Sequence, residues 1–233
     1  MPSVHPVAPA RNTAAVTEPG WVELAVAVLA ALVLYMIGSV LAARIPDDAT
    51  VSPGQVNFLI SGLAPLGAFT LAVLVRIRDV RPFGLRTVSP GWLVAGLAAG
   101  ILCFGLSWPI SAVFDPFFLD SQDVQDSYRD AATSGLRSLA VTVMLGGTLT
   151  PIGEEFLFRG ALAHFLYRWG PWTAITVSAA VFAVAHGIKS VMPLAFVIGI
   201  ATGLLLRSSG SIWPAVAVHM AYNSAGMIYH GTI

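Results

Sequence analysis

The chain alternates long apolar stretches with short polar connections. Seven stretches, 21–43, 56–75, 92–114, 138–168, 171–186, 191–206 and 212–228, are long enough or nearly so to cross a membrane. The yardstick is a hydrocarbon layer of about 30 Å crossed at about 1.5 Å per helical residue. Helices are expected throughout, because a backbone in lipid must satisfy its own hydrogen bonds. The fourth stretch is overlong, and the fifth and sixth are short, which suggests tilted or partly buried helices. Pro46, Pro53, Pro90, Gly170, Pro171 and Gly210 punctuate the connections. The spaced pairs Gly96/Gly100 and Gly199/Gly203 would let helices approach closely. Trp21, Trp92, Trp172 and Trp213 each stand near the start of a stretch and read as interfacial anchors. The expected fold class is all-α, a polytopic transmembrane helical bundle of about seven spans. Residues 1–20, rich in Pro, Ala, Thr and Val without periodicity, read as a disordered tail, and 21–233 as a single membrane domain with no internal repeat. The apolar run from Trp21 is about 23 residues long, too long for the core of a cleaved signal peptide.

Composition agrees with a membrane protein. Apolar residues make up 56% of the 233 and charged residues 10%, against roughly 25% charged in a soluble domain. Zero net charge gives no reason to expect a nucleic-acid partner. The single cysteine, Cys103, lies in an apolar run, so there is neither a disulfide framework nor a cysteine metal site. Loop charge suggests an orientation. Arg76, Arg78, Arg81 and Arg86 follow the second stretch against Asp79 alone. Asp115, Asp120, Asp123, Asp126 and Asp130 follow the third, against Arg129 and Arg137. Arginine-rich loops stay in the cytoplasm, which predicts a multi-pass cell-membrane protein with a cytoplasmic N-terminus.

Against this apolar background the segment TPIGEEFLFRG, 150–160, carries Glu154, Glu155 and Arg159. His186 ends the fifth stretch, and His219 and Asn223 lie inside the seventh. Strongly polar groups at membrane depth cost several kcal/mol and face the bundle interior, where they serve a function. Those residues therefore suggest one shared site between the helices of the second half. Glu155 and Arg159 are spaced i, i+4 with the acid first, the better order for an intrahelical pair. Glu154 points about 100° away, which leaves it the freer carboxylate. His219 and Asn223 share one helix face by the same spacing. Pro151 cannot donate to the Gly147 carbonyl, so a kink is expected just before the glutamates. A broken helix at this depth is tolerated beside a water-accessible cavity. The chemistry that fits is hydrolysis: a buried carboxylate as general base on water, a histidine beside it, and a second histidine and an amide as donors to a developing oxyanion.

EEFLFR at 154–159, FAVAH at 182–186 and HMAYN at 219–223 stand in the order and spacing of EExxxR, FxxxH and HxxxN. Together they resemble the signature of the CAAX prenyl protease-like intramembrane proteases, the CPBP or Abi family, over about 138–228. The resemblance implies a membrane-embedded, glutamate-dependent endopeptidase acting on a membrane-associated peptide or protein, a prenylated CAAX-type substrate among the candidates. It implies Glu154 as the base, His186 as its partner, His219 and Asn223 as the oxyanion site, and Glu155 and Arg159 in support. No cofactor is expected. Were a divalent metal such as zinc bound, Glu154, His186 and His219 would be its ligands, though none of the five histidines opens an HExxH motif. Members of this family are also associated with scaffold and bacteriocin self-immunity roles, which gives the alternative reading of a non-catalytic protein. Blander roles exist for each residue: a structural ion pair for Glu155–Arg159, a headgroup contact for His186, interhelical hydrogen bonding for His219 and Asn223. His164 matches no motif position and reads as structural, and terminal His5 and His230 as solvated. A proton-coupled transporter is disfavoured, because the polar residues cluster in one half rather than in two matching repeats.

Overall fold

A computed structural model describes residues 18–46, 51–118 and 130–232. The expected tail up to residue 17, His5, Asp120, Asp123, Asp126 and Arg129 lie outside the described residues. Seven long helices occupy the rest: α1 Trp21–Ala42, α2 Pro53–Val75, α3 Pro90–Phe114, α4 Leu136–Trp169, α5 Pro171–Ala185, α6 Val191–Ser209 and α7 Trp213–Thr232. Five of them, α1, α2, α3, α4 and α6, are long and apolar enough to cross a membrane. The fold is thus an all-α polytopic bundle. Two of the seven expected spans fall short: α5 has only 15 residues, and the sequence of α7 is interrupted by His219, Tyr222, Asn223 and Ser224.

Local chemistry sets where the helices begin. Ser52 caps α2, accepting from Gln55 N–H at 3.2 Å while the Gln55 side chain accepts from Ser52 N–H at 3.4 Å. Pro53, Pro90 and Pro171 open their helices at a position whose N–H has no helical partner. α1 starts on Glu23, whose carboxylate accepts from Gly20 N–H at 2.7 Å and from both Nε and Nη2 of Arg76 at 2.8 Å. That fully buried acid staples the start of α1 to the end of α2.

Close helix contact rests on small residues. A Cβ at Gly96 would lie 2.5 Å from the Pro214 carbonyl oxygen, and one at Gly100 would run into the Val218 carbonyl, so α3 packs backbone to backbone on α7. Gly199 and Gly203 admit Ala179 and Ile175 of α5 in the same way. At Gly153, beside the glutamates, a Cβ would strike the Gly62 carbonyl of α2. Gly153→Ala is therefore expected to push α2 and α4 apart and cost roughly 1–3 kcal/mol, as overpacking does. The loss is read as a lower melting temperature in detergent. Gly226→Ala on α7, where nothing lies within 4 Å, should melt like the wild type.

α4 is not one continuous α-helix. Its hydrogen bonding widens to π turns at Leu145–Leu149 and Phe156–Ala163, on either side of the α-helical segment Thr150–Glu155. π turns inside helices recur at functional sites. Here they bracket the two glutamates, and the second contains Arg159. The outer faces of α1, with Leu29, Leu32 and Met36, are exposed and suit lipid contact.

Candidate active site

Glu154 and Glu155 sit side by side in the α-helical segment of α4 yet turn to different partners. Glu155 is fully buried and faces Arg159, also fully buried, with Oε2 and Nε 3.1 Å apart. The contact is an ion pair without hydrogen-bond alignment, since neither atom meets the angular requirement. The Arg159 guanidinium also lies 4.6 Å over the Phe182 ring of α5 and against Gly199 of α6. The other oxygen of Glu155 meets His219 Nδ1 at 3.0 Å. A ring nitrogen facing a carboxylate carries its proton there, so Glu155 fixes both the tautomer and the plane of His219. Its Nε2 then points to Glu154 Oε2 at 3.8 Å.

Among the described residues Glu154 has no ion-pair arginine. Its Oε2 is buried without a hydrogen-bond partner, faced by His219 Nε2 at 3.8 Å and His186 Nε2 at 4.0 Å. Those separations exceed a hydrogen bond and leave the carboxylate free to take a third molecule. His186 caps the end of α5, where Nδ1 donates to the Phe182 carbonyl at 2.8 Å. That bond leaves Nε2 as the nitrogen turned to Glu154. Phe182 packs edge-on against both imidazoles, with centroids 4.6 Å from His186 and 5.6 Å from His219. One ring thus supports Arg159, His186 and His219 together.

Asn223 stands one turn beyond His219 on α7 and donates from Nδ2 to the Gly146 carbonyl at 2.9 Å. The π turn explains why that carbonyl is open. Thr150 N–H bonds Leu145 O, five residues back. In that register the donor due to Gly146 is residue 151, a proline, which has no N–H. This corrects the expectation that Pro151 deprives Gly147: the missing bond falls one residue earlier, and Asn223 supplies it.

The four motif residues Glu154, His186, His219 and Asn223 come from α4, α5 and α7 and meet within one region of the bundle, with Glu155 and Arg159 directly behind. Sequence reasoning missed three contributors. Phe182 opens the FxxxH motif but offered no chemistry to read. Gly146 matters only through its carbonyl. His164, read as structural without a partner, bonds the Arg159 carbonyl through Nδ1 at 2.6 Å and so braces the second π turn. Glu154, His186 and His219 are also the ligands the sequence would offer a metal, but among the described residues no group of three or more His, Cys, Asp or Glu is arranged to hold one.

Residues 136–225 match the family model described as type II CAAX prenyl endopeptidase, Rce1-like. Over this segment the chain is similar to the CAAX protease-like family. The matched segment holds all four motif residues and both supporting ones. No curated protein and no solved structure matches the chain. At family level this similarity supports a membrane protease, a family whose substrates are membrane-associated peptides. The helices that carry it make it a multi-pass membrane protein.

Proposed function

We propose that the protein is an intramembrane endopeptidase in which Glu154 activates water for direct attack on a peptide carbonyl. The observation that supports this most strongly is the buried Glu154 oxygen, unbonded and faced by two imidazoles at 3.8 and 4.0 Å. A water seated between Glu154 and His186 would be oriented by both. Glu154 takes its proton as the oxygen attacks, and His186 holds the water and helps pass the proton to the leaving amine. The oxyanion forms on the side of His219 and Asn223. Asn223 keeps one N–H on Gly146 O and has a second to give, and His219 Nε2 donates when the ring carries both protons. Glu155 is a positioning residue, held by Arg159 and holding His219. The substrate is a membrane-associated peptide, with prenylated CAAX-type chains among the candidates, and the arginine-rich loop after α2 lies in the cytoplasm together with the N-terminus.

Direct attack leaves no covalent intermediate. In liposomes, cleavage of a membrane peptide in the presence of hydroxylamine should yield only the free carboxylate product. A hydroxamate would show an acyl-enzyme and contradict the mechanism. Turnover should also persist after dialysis against a chelator, and loss of activity restored by zinc would contradict the metal-free route.

A further inference from the structure

We infer that the arginine-rich end of the bundle holds a second binding site, separate from the glutamates, for a phosphate-bearing anion of the kind carried by an acidic phospholipid headgroup. The site is a cavity of its own, so the inference does not depend on whether the protein cuts peptides.

A cavity of about 390 Å³ lies where four parts of the chain meet: the lead-in to α1, the loop between α2 and α3, the last turns of α4 and the end of α6. Small-molecule sites occupy roughly 300–1,000 Å³. The side chains that give this one its chemistry are Arg86 from the loop, His164 and Tyr167 from α4, and Arg207 from α6. Neither Glu154 nor any other motif residue lines it. The walls are tied to one another. Ser211 Oγ donates to the Arg86 carbonyl at 2.7 Å and Ile212 N–H to the Gly84 carbonyl at 3.0 Å, which holds the loop against the turn after α6. Arg168 Nη2 donates to the Pro19 carbonyl at 2.8 Å, which holds the α1 lead-in on α4. His164 is fixed by its bond to the Arg159 carbonyl. The cavity is therefore built into the bundle and is not a gap between loose loops.

Two arginines in it lack an acid. Arg76 and Arg81, on the same loop, have Glu23 and Asp79. Among the described residues neither Arg86 nor Arg207 has an ion-pair partner. Arg86 donates from Nε to the Arg81 carbonyl at 3.1 Å, which leaves its two terminal nitrogens for a ligand. The Arg207 guanidinium stands over the Trp172 ring at 4.7 Å. Contact with a ring face leaves the N–H edge of the guanidinium open to an anion. Glu18, the one acid lining the cavity, is exposed and pairs with neither arginine. Two guanidinium forks and the Tyr167 hydroxyl thus surround one space with donors, a set that suits phosphate. Depth points to where the phosphate comes from. Trp21, Trp169 and Trp172 are all exposed at this end, and such tryptophans mark the headgroup level of a membrane. Basic pockets between helices at that level take the phosphates of acidic lipids.

The test uses the full chain, purified in a neutral detergent and weighed by native mass spectrometry with phosphatidylglycerol, phosphatidylcholine or inorganic phosphate added. The wild type should hold phosphatidylglycerol in preference to phosphatidylcholine. Arg86→Gln/Arg207→Gln should weaken phosphatidylglycerol binding about tenfold or more, the loss of at least one charge-assisted hydrogen bond, and leave phosphatidylcholine binding unchanged. Arg44→Gln/Arg137→Gln removes the same charge from exposed arginines at the other end and should bind as the wild type does. Should the first double variant fail to fold, Arg207→Gln alone reads the same loss. Competition at constant ionic strength separates the sources: inorganic phosphate that displaces the lipid makes the ligand a free phosphate species, and phosphate that does not makes it the headgroup. Equal binding of the two lipids by a wild type that also binds no phosphate overturns the inference. So does a cavity variant that keeps its phosphatidylglycerol, or an Arg44→Gln/Arg137→Gln protein that loses as much.

Discussion

Arg159→Ala should lower the unfolding free energy by about 3 kcal/mol, the low end of the cost of leaving a buried charge without its partner. Arg159 and Glu155 are both fully buried and 3.1 Å apart. Removing the guanidinium leaves the Glu155 carboxylate with only the His219 ring and also vacates the space between Phe182 and Gly199. The effect is read as a lower melting temperature in detergent. The double variant Glu155→Gln/Arg159→Met, which removes both charges and keeps the volume, should recover much of the loss. A single variant that melts like the wild type would show that the pair contributes nothing. Activity should fall in the single variant as well, because His219 is held by Glu155.

Glu154→Gln should reduce hydrolysis by about 10²–10⁴-fold, the usual contribution of a general base, while the melting temperature stays close to that of the wild type. The amide has nearly the carboxylate's shape but cannot take a proton. No ion-pair arginine is lost, because Arg159 serves Glu155. Loss of fold in this variant would make Glu154 a structural acid. Undiminished cleavage would remove it as the base.

The contrast between these two neighbours was legible in the sequence, because i, i+4 spacing links Glu155 to Arg159 whatever the rest of the chain does. So was the convergence of α4, α5 and α7, since polar residues on apolar helices must find one another. The start of α2 was placed three residues late, as hydropathy registers apolar residues and not the Ser52–Gln55 cap. Contacts that depend on register between helices were out of reach. Nothing in the spacing says that His219 bonds Glu155, or that Asn223 repairs a carbonyl opened by Pro151. The displacement from Gly147 to Gly146 arises because α4 widens into a π turn, which sequence periodicity does not encode. Glu23 was overlooked inside an apolar run for the same reason. Its partner Arg76 lies 53 positions away and was read only as loop charge.

If this protein cuts peptides with Glu154, the products must vanish when that carboxylate does. The most direct measurement compares peptide N-termini in membranes of cells producing the wild type or Glu154→Gln at equal levels. A set of termini should be present with the wild type and missing with the variant, and it would also reveal the cleavage site. Identical pools from the two proteins, with both folded and inserted, would contradict it and favour a non-catalytic scaffold or immunity protein.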